Sequence, residues 1–226
     1  MAARAFVWLG GAMFVASLGV CAYCYLIVWG RTFGSAELSV IAANALLIAL
    51  FAAHHSLFAR DRVKAWLSRT VPQPMLRPVY VWVASVLLML ACLLWRPIGG
   101  ELYRAAGPRA IAPIAIQIAG VWVIAGAVAR IDPLELAGIR AAAAAADGLQ
   151  VSGPYRWVRH PVYFGWVLIV FGTPHMTGDR LAFAAITTLY LAIAVPWEER
   201  ALTRSFGEQY VRYVRAVKWR MIPFIY

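Results

Sequence analysis

Ser152-Gly153-Pro154-Tyr155-Arg156-Trp157-Val158-Arg159-His160-Pro161-Val162-Tyr163-Phe164-Gly165 is the stretch on which the reading of this chain turns. It lies between two apolar segments. Four rings with a polar group (Tyr155, Trp157, His160, Tyr163) crowd together there with two arginines, two prolines and two glycines. Polar groups beside hydrocarbon are costly unless they are paired or used, so the density points to a polar ligand.

The flanking segments set the fold class. The chain has 226 residues, 63% of them apolar and 14% charged, and a mean hydropathy of +0.71. A water-soluble domain is about one-quarter charged. The apolar excess comes in blocks, and a helix needs ~20 apolar residues to cross ~30 Å of hydrocarbon. Blocks rather than alternation exclude a transmembrane β-barrel. The expected architecture is an all-α, multi-pass membrane protein. It has a single domain over 1–226 and about six spans, at 5–29, 38–58, 79–95, 110–129, 161–174 and 181–197.

Trp8 and Trp29 stand at the ends of the first span, as interfacial aromatics do. The run from Phe6 to Trp29 is too long for the core of a signal peptide. Arg60, Arg62, Lys64 and Arg69, with Trp66 and Leu67 opposite them, read as an interfacial amphipathic helix ended by Pro72, Pro74 and Pro78. The alanine run at 141–146 favours helix and carries no chemistry. A turn at 173–179 is so short that spans five and six form an antiparallel hairpin. After Trp197 the tail reads as a helix, with Leu202, Phe206, Tyr210, Tyr213 and Val217 three or four apart.

The net charge is +11. No nucleic-acid module accompanies it, and the basic residues cluster between spans, where they set orientation and meet anionic lipid. With the N-terminus in the cytoplasm, Arg4, five basic residues in 60–77, four in 130–160 and six in the tail share that side. These are 16 of the 21 Lys and Arg. Both termini and the organising stretch are therefore expected on the cytoplasmic face of the cell membrane. Cys21, Cys24 and Cys92 lie inside apolar blocks. The Cys21-x-x-Cys24 spacing has no second pair or histidine partner, so the three read as core residues, and no metal set is expected.

The hairpin brings the start of span five to the face where span six ends. His160 and Tyr163 should then lie near Glu198, which directly follows Trp197. Its neighbour Glu199 is expected to be neutralised by Arg159, Arg200 or Arg204. A carboxylate, an imidazole and tyrosine faces suit a ligand with a positive centre. Backbone left outside helix by Gly148, Gly153 and the prolines can bond its polar edges.

Residues 152–165 resemble the signature of the isoprenylcysteine carboxyl methyltransferase superfamily, roughly G-x-Y-x-x-x-R-H-P-x-Y-x-G. Glu198-Glu199-Arg200-Ala201-Leu202-Thr203-Arg204-Ser205-Phe206-Gly207-Glu208-Gln209-Tyr210 resembles its second motif, E-E-x-x-L-x-x-x-F-G-x-x-Y. The resemblance implies an integral-membrane methyltransferase that uses S-adenosylmethionine, held by the part 130–226. It implies that Gly148, Leu149, Gln150 and Tyr155 line the cofactor. His160, Pro161, Val162 and Tyr163 would hold it, and Glu198 would face its charged end or the substrate. His54-His55-Ser56-Leu57-Phe58-Ala59-Arg60, Trp95-Arg96-Pro97, Ile131-Asp132 and Thr173-Pro174-x-Met176-Thr177 resemble the bacterial branch with methanethiol S-methyltransferases. NnrU-like membrane proteins share the first of these elements.

Prenylcysteine enzymes carry a basic residue shortly before the paired glutamates, where this chain has Ala194-Val195-Pro196-Trp197. That departure favours a small or uncharged acceptor. The expected reaction is methyl transfer to a small thiol, with methanethiol leading. An isoprenylcysteine carboxyl group, a phospholipid amine and a non-catalytic NnrU-like role are the alternatives. A thiol must lose its proton to become the nucleophile. His55, at the end of span two, is the expected catalytic acceptor of it beside Glu198, since a histidine is neutral near physiological pH. His175 falls on the opposite face and reads as structural.

Overall fold

The computed structural model describes residues 1–58, 60–131, 133–140 and 148–226. Ala59, Asp132 and the alanine run lie outside the described residues. The helices are α1 (Ala2–Leu26), α2 (Leu38–Phe58), α3 (Asp61–Leu67), α4 (Gln73–Leu93), α5 (Ile111–Val128), α6 (Pro133–Leu136), α7 (Pro161–Phe171), α8 (Gly178–Phe206) and α9 (Glu208–Ala216). Two short strands, β1 (Glu101–Arg104) and β2 (His175–Thr177), pair as a ribbon. The protein is an all-α membrane protein. Of its described helices, α1, α2, α4, α5 with its preceding turn, and α8 are long and apolar enough to cross a bilayer. The remaining expected span, α7, has 11 residues, about 16 Å at ~1.5 Å per residue, and is shorter than the hydrocarbon.

Three features differ from expectation. The prolines after Thr70 start a helix rather than end one. Pro74 occupies the first turn of α4, where a missing N–H costs nothing, and Pro78 is buried inside it. Helix α8 does not stop at Trp197 but continues through Pro196 to Phe206, so Glu198 and Glu199 are mid-helix residues. Trp29 is fully buried rather than interfacial. A 3-10 turn, Val28–Gly30, folds it against Trp95, with ring centroids 4.9 Å apart.

The described residues form two compact units. The first holds Met1–Glu101, residues 133–140 and Thr177–Arg180. In it α1 and α4 run parallel: Trp82 Nε1 donates to the Phe6 carbonyl at 3.0 Å, and Trp29 meets Trp95 further along both. Helix α2 runs antiparallel to α4, with Asn44 exchanging two 2.9 Å hydrogen bonds with the Arg96 backbone and His55 bonded to Tyr80. A buried polar knot closes one end. The Asp179 carboxylate accepts from Trp95 Nε1 at 2.7 Å, from the Ile98 N–H at 3.0 Å and from Arg31 at 3.3 Å. Arg180 donates to the carbonyls of Tyr25 and Leu26, which end α1. All three cysteines are buried and unpaired, as core residues.

The second unit holds residues 102–131, 148–176 and Leu181–Tyr226. Helices α5 and α7 cross antiparallel on small residues. A Cβ on Gly120 would sit 2.6 Å from the Gly165 carbonyl, and one on Gly165 2.7 Å from that of Gly120. Backbone contact of this kind is how helices associate where water gives no hydrophobic drive. Gln117 donates across the seam to the Ile169 carbonyl at 3.0 Å. The expected antiparallel hairpin of α7 and α8 is present. Trp166 Nε1 donates to Thr187 at 3.0 Å, while Tyr163, one turn earlier on α7, reaches Glu198 further along α8. Arg104 donates to His175 Nε2 at 3.3 Å beside the strand pair, which agrees with a structural role for that histidine.

Candidate functional site

The organising stretch begins as a turn that only particular residues allow. Gly153 has φ +59°, and a Cβ there would run into the Arg130 guanidinium. Arg130 in turn donates to Ser152 Oγ at 3.2 Å and to the Gly126 carbonyl, tying the end of α5 to the turn. Pro154 starts a 3-10 turn, Gly153–Arg156. His160 caps α7, whose first residue is Pro161, a position where no N–H is needed.

The tail is then stitched to this cap. The Arg159 N–H donates to the Trp219 carbonyl at 2.9 Å and the His160 N–H to the Arg220 carbonyl at 2.8 Å. The Arg159 guanidinium is buried. It donates to the Val217 and Lys218 carbonyls at 2.7 and 2.8 Å and to Glu199 Oε1 at 2.6 Å. Arg220 holds the other Glu199 oxygen at 3.1 Å. Glu199 is thus a doubly paired carboxylate with its side chain 13% exposed, and its partner is the Arg159 of the expected set.

Glu198 differs. Its side chain is 43% exposed, and among the described residues it has no lysine or arginine partner. The Tyr163 hydroxyl donates to its Oε2 at 2.8 Å. His160 Nδ1 stands 3.6 Å from the same oxygen. The His160 and Tyr163 rings are stacked, 5.3 Å apart at 9°. His160 Nε2 is buried 3.5 Å from Glu199, an ion-pair distance without hydrogen-bond alignment.

Tyr155 and Leu149 form the neighbouring wall. Both pack on the buried cluster Tyr210, Tyr213 and Val217, with Leu202 and Phe206 of α8. The Tyr213 hydroxyl donates to the Tyr155 carbonyl at 2.7 Å. Burial, with the Glu198 charge adding and Arg130 opposing, pushes the Tyr155 phenol up to about 12, so it stays a protonated donor. Gly148 and Gln150 flank Leu149 and are exposed, Gly148 with φ +75°. Pro161 is buried in the first turn of α7 and Val162 partly so. Of the expected residues, Tyr155, His160 and Tyr163 therefore gather around the open Glu198 carboxylate, and Leu149 packs in the same unit on the cluster that Tyr155 covers.

His55 belongs to the first unit. Its Nδ1 is hydrogen-bonded to the Tyr80 hydroxyl. His54 stacks on the same Tyr80, 5.3 Å away at 11°, and both its ring nitrogens are buried without a hydrogen-bond partner among the described residues. The sequence assigns no site role to Tyr80, Arg130 or Tyr213, although Tyr213 falls in the spacing of the tail helix; each matters through a contact far along the chain.

Residues 109–209 match the family described as phospholipid methyltransferase. Methanethiol S-methyltransferase 1 of Bradyrhizobium diazoefficiens is 34% identical over 202 residues, 86% of this chain and 70% of that protein. Methanethiol S-methyltransferase 2 of the same organism is 37% identical over 78% of this chain and 71% of its own. The methanethiol S-methyltransferase of Crocosphaera subtropica is 36% identical, covering 79% and 73%. No solved structure matches the chain.

Proposed function

The chain belongs to the membrane methyltransferase family that includes the methanethiol S-methyltransferases, and we propose that this methyltransferase takes its methyl group from S-adenosylmethionine and delivers it to a small thiol, with methanethiol the first candidate. The observation that carries the donor is Glu198. It is a carboxylate held in place by Tyr163 but left without a lysine or arginine partner among the described residues, beside two stacked rings. Such a place attracts a compact cation through charge and ring quadrupole.

The residues present fit that cofactor. Glu198, His160 and Tyr163 would face its cationic end, Tyr155 and Leu149 would cover a flat apolar part, and the backbone at Gly148, Gln150, Pro161 and Val162 would meet its polar edges. The donor supplies a methyl group made electrophilic by a sulfonium sulfur. What the chain contributes is mainly placement, since holding reactants at contact distance is worth roughly 7–11 kcal/mol. Glu199 is already spent on Arg159 and Arg220 and only fixes the frame.

The acceptor is proposed as small because the α8 residues before the glutamates, Ala194-Val195-Pro196-Trp197, offer no base to a carboxylate substrate. His55 is proposed to take the thiol proton. In the tautomer that carries the proton on Nδ1 and donates it to the Tyr80 hydroxyl, Nε2 would hold the accepting lone pair. The termini and both motifs are proposed to face the cytoplasm, where the donor is made available.

The test offers labelled S-adenosylmethionine to the purified protein with methanethiol, a prenylcysteine or phosphatidylethanolamine. Label in dimethyl sulfide is the expected result. Label in the prenyl ester or the lipid instead would reassign the acceptor. His55→Ala should lower turnover at least about tenfold with little change in donor affinity. Full turnover would remove His55 from the mechanism.

A further inference from the structure

The other side of α8 carries a second polar feature that the methyl-transfer site does not use. Glu198 and Leu202 turn toward the Tyr155 wall. Glu199, Arg200, Thr203 and Arg204 turn elsewhere, and with α9 they line an open cleft of about 670 Å³. Its rim is cationic: Arg200, Arg204, Arg215 and Arg220 line it. Its floor is apolar, from Pro196, Val211 and Val214. Glu199 is the acidic side chain in the lining, and Arg159 and Arg220 already hold it. Among the described residues, Arg200, Arg204 and Arg215 have no hydrogen-bond or ion-pair partner. One buried group also lines the cleft unanswered. Tyr210 is 2% exposed, and its hydroxyl has no hydrogen-bond partner among the described residues. A buried hydroxyl without a partner is destabilising, and a ligand oxygen would relieve that cost. Burial and the nearby Glu199 charge hold that phenol protonated, and Glu199, the acceptor nearest to it, is already taken up by Arg159 and Arg220, so the hydroxyl remains a donor for a ligand oxygen.

Depth decides what the ligand is. Helix α8 has 29 residues, about 44 Å at ~1.5 Å per residue. About 20 of them fill the hydrocarbon, so the helix leaves it near Trp197 and the cleft lies at headgroup level. The segment carrying Arg220 continues into Phe224 and Ile225, 84% and 78% exposed. Exposed apolar side chains beside a basic surface are the pattern of a segment lying in the interface.

We propose that this cleft binds the phosphate-bearing headgroup of an anionic phospholipid, with the arginine rim and the Tyr210 hydroxyl on the phosphate and the proline–valine floor on the glycerol and first acyl carbons. The lipid is a resident ligand and not a methyl acceptor, and the inference stands apart from the choice of acceptor.

The full chain in detergent is offered equal amounts of phosphatidylglycerol and phosphatidylcholine, and retained lipid is counted by native mass spectrometry. Wild type should keep phosphatidylglycerol in clear preference. Arg204→Gln should lower that preference about fivefold, and Arg204→Gln with Arg215→Gln about 25-fold. The Lys versions of the same pair should keep most of it, which separates charge from folding. Tyr210→Phe should lower it about threefold without lowering the unfolding midpoint, since it deletes an unpartnered group. Equal retention of the two lipids by wild type would overturn the proposal. So would a preference that survives the double Gln variant, or binding of inorganic phosphate with no preference between the lipids.

Discussion

Two adjacent carboxylates are given opposite tasks by about 100° of helix rotation. Glu199 turns onto Arg159 and Arg220 and becomes part of the frame. Glu198 turns onto a phenol and an imidazole edge and keeps its charge available. The two should therefore fail differently. Glu198→Gln keeps the shape and removes the charge. It is expected to weaken donor binding about 10- to 100-fold, read by calorimetry, with little change in the unfolding midpoint. Arg159→Ala should do the reverse and destabilise the fold by about 3–5 kcal/mol, because it leaves one Glu199 oxygen and two tail carbonyls without their buried donor. Denaturant titration in mixed micelles reads that loss. If Glu198→Gln binds the donor normally, the site has been misplaced.

At the scale of elements, the continuity of α8 matters most. Pro196 has no N–H, so the Ala192 carbonyl one turn earlier loses its helical partner. The Tyr226 hydroxyl donates to that carbonyl at 3.2 Å, and Arg220 steadies the same hydroxyl at 3.2 Å. The tail thus repairs the helix that it packs against, which lets α8 run on and present both glutamates. A double-mutant cycle checks this. Tyr226→Phe should cost about 1 kcal/mol in the wild-type background and little in Pro196→Ala, whose new N–H reaches Ala192 itself. Equal costs in both backgrounds would mean that the two are not coupled. The Gly120–Gly165 seam is a second dependence of this kind. Any side chain at either position separates the backbones of α5 and α7, and α7 carries His160 and Tyr163.

For the whole molecule the governing quantity is the distribution of charge along the chain. Placing 16 of 21 basic residues on one side predicts that side to be cytoplasmic. Thr70→Cys should be blocked only by a thiol reagent that enters the cytoplasm, and Arg109→Cys by one that does not. Both positions are exposed, and the native cysteines are buried. The reverse labelling pattern would invert the orientation.

Much of this is legible in the chain itself because the signals are local. Block length marks a span, a seven-residue turn forces a hairpin, and the two motifs name residues that gather at Glu198. The same local rules erred where a distant partner overrode them. Pro196 and Trp197 read as a helix end until Tyr226 satisfied Ala192. Trp29 read as interfacial until Trp95 covered it. Asp179 read as a turn residue, and only folding placed it against Arg31, Trp95 and the backbone at Ile98. That Tyr155, His160, Tyr163 and Glu198 come together was therefore legible in the chain, and their role as a cofactor site is what the Glu198→Gln test addresses. Which carboxylate stayed open, and which arginines stayed unpaired around Tyr210, was decided by the tertiary structure, because burial and pairing depend on residues that meet only after the helices pack.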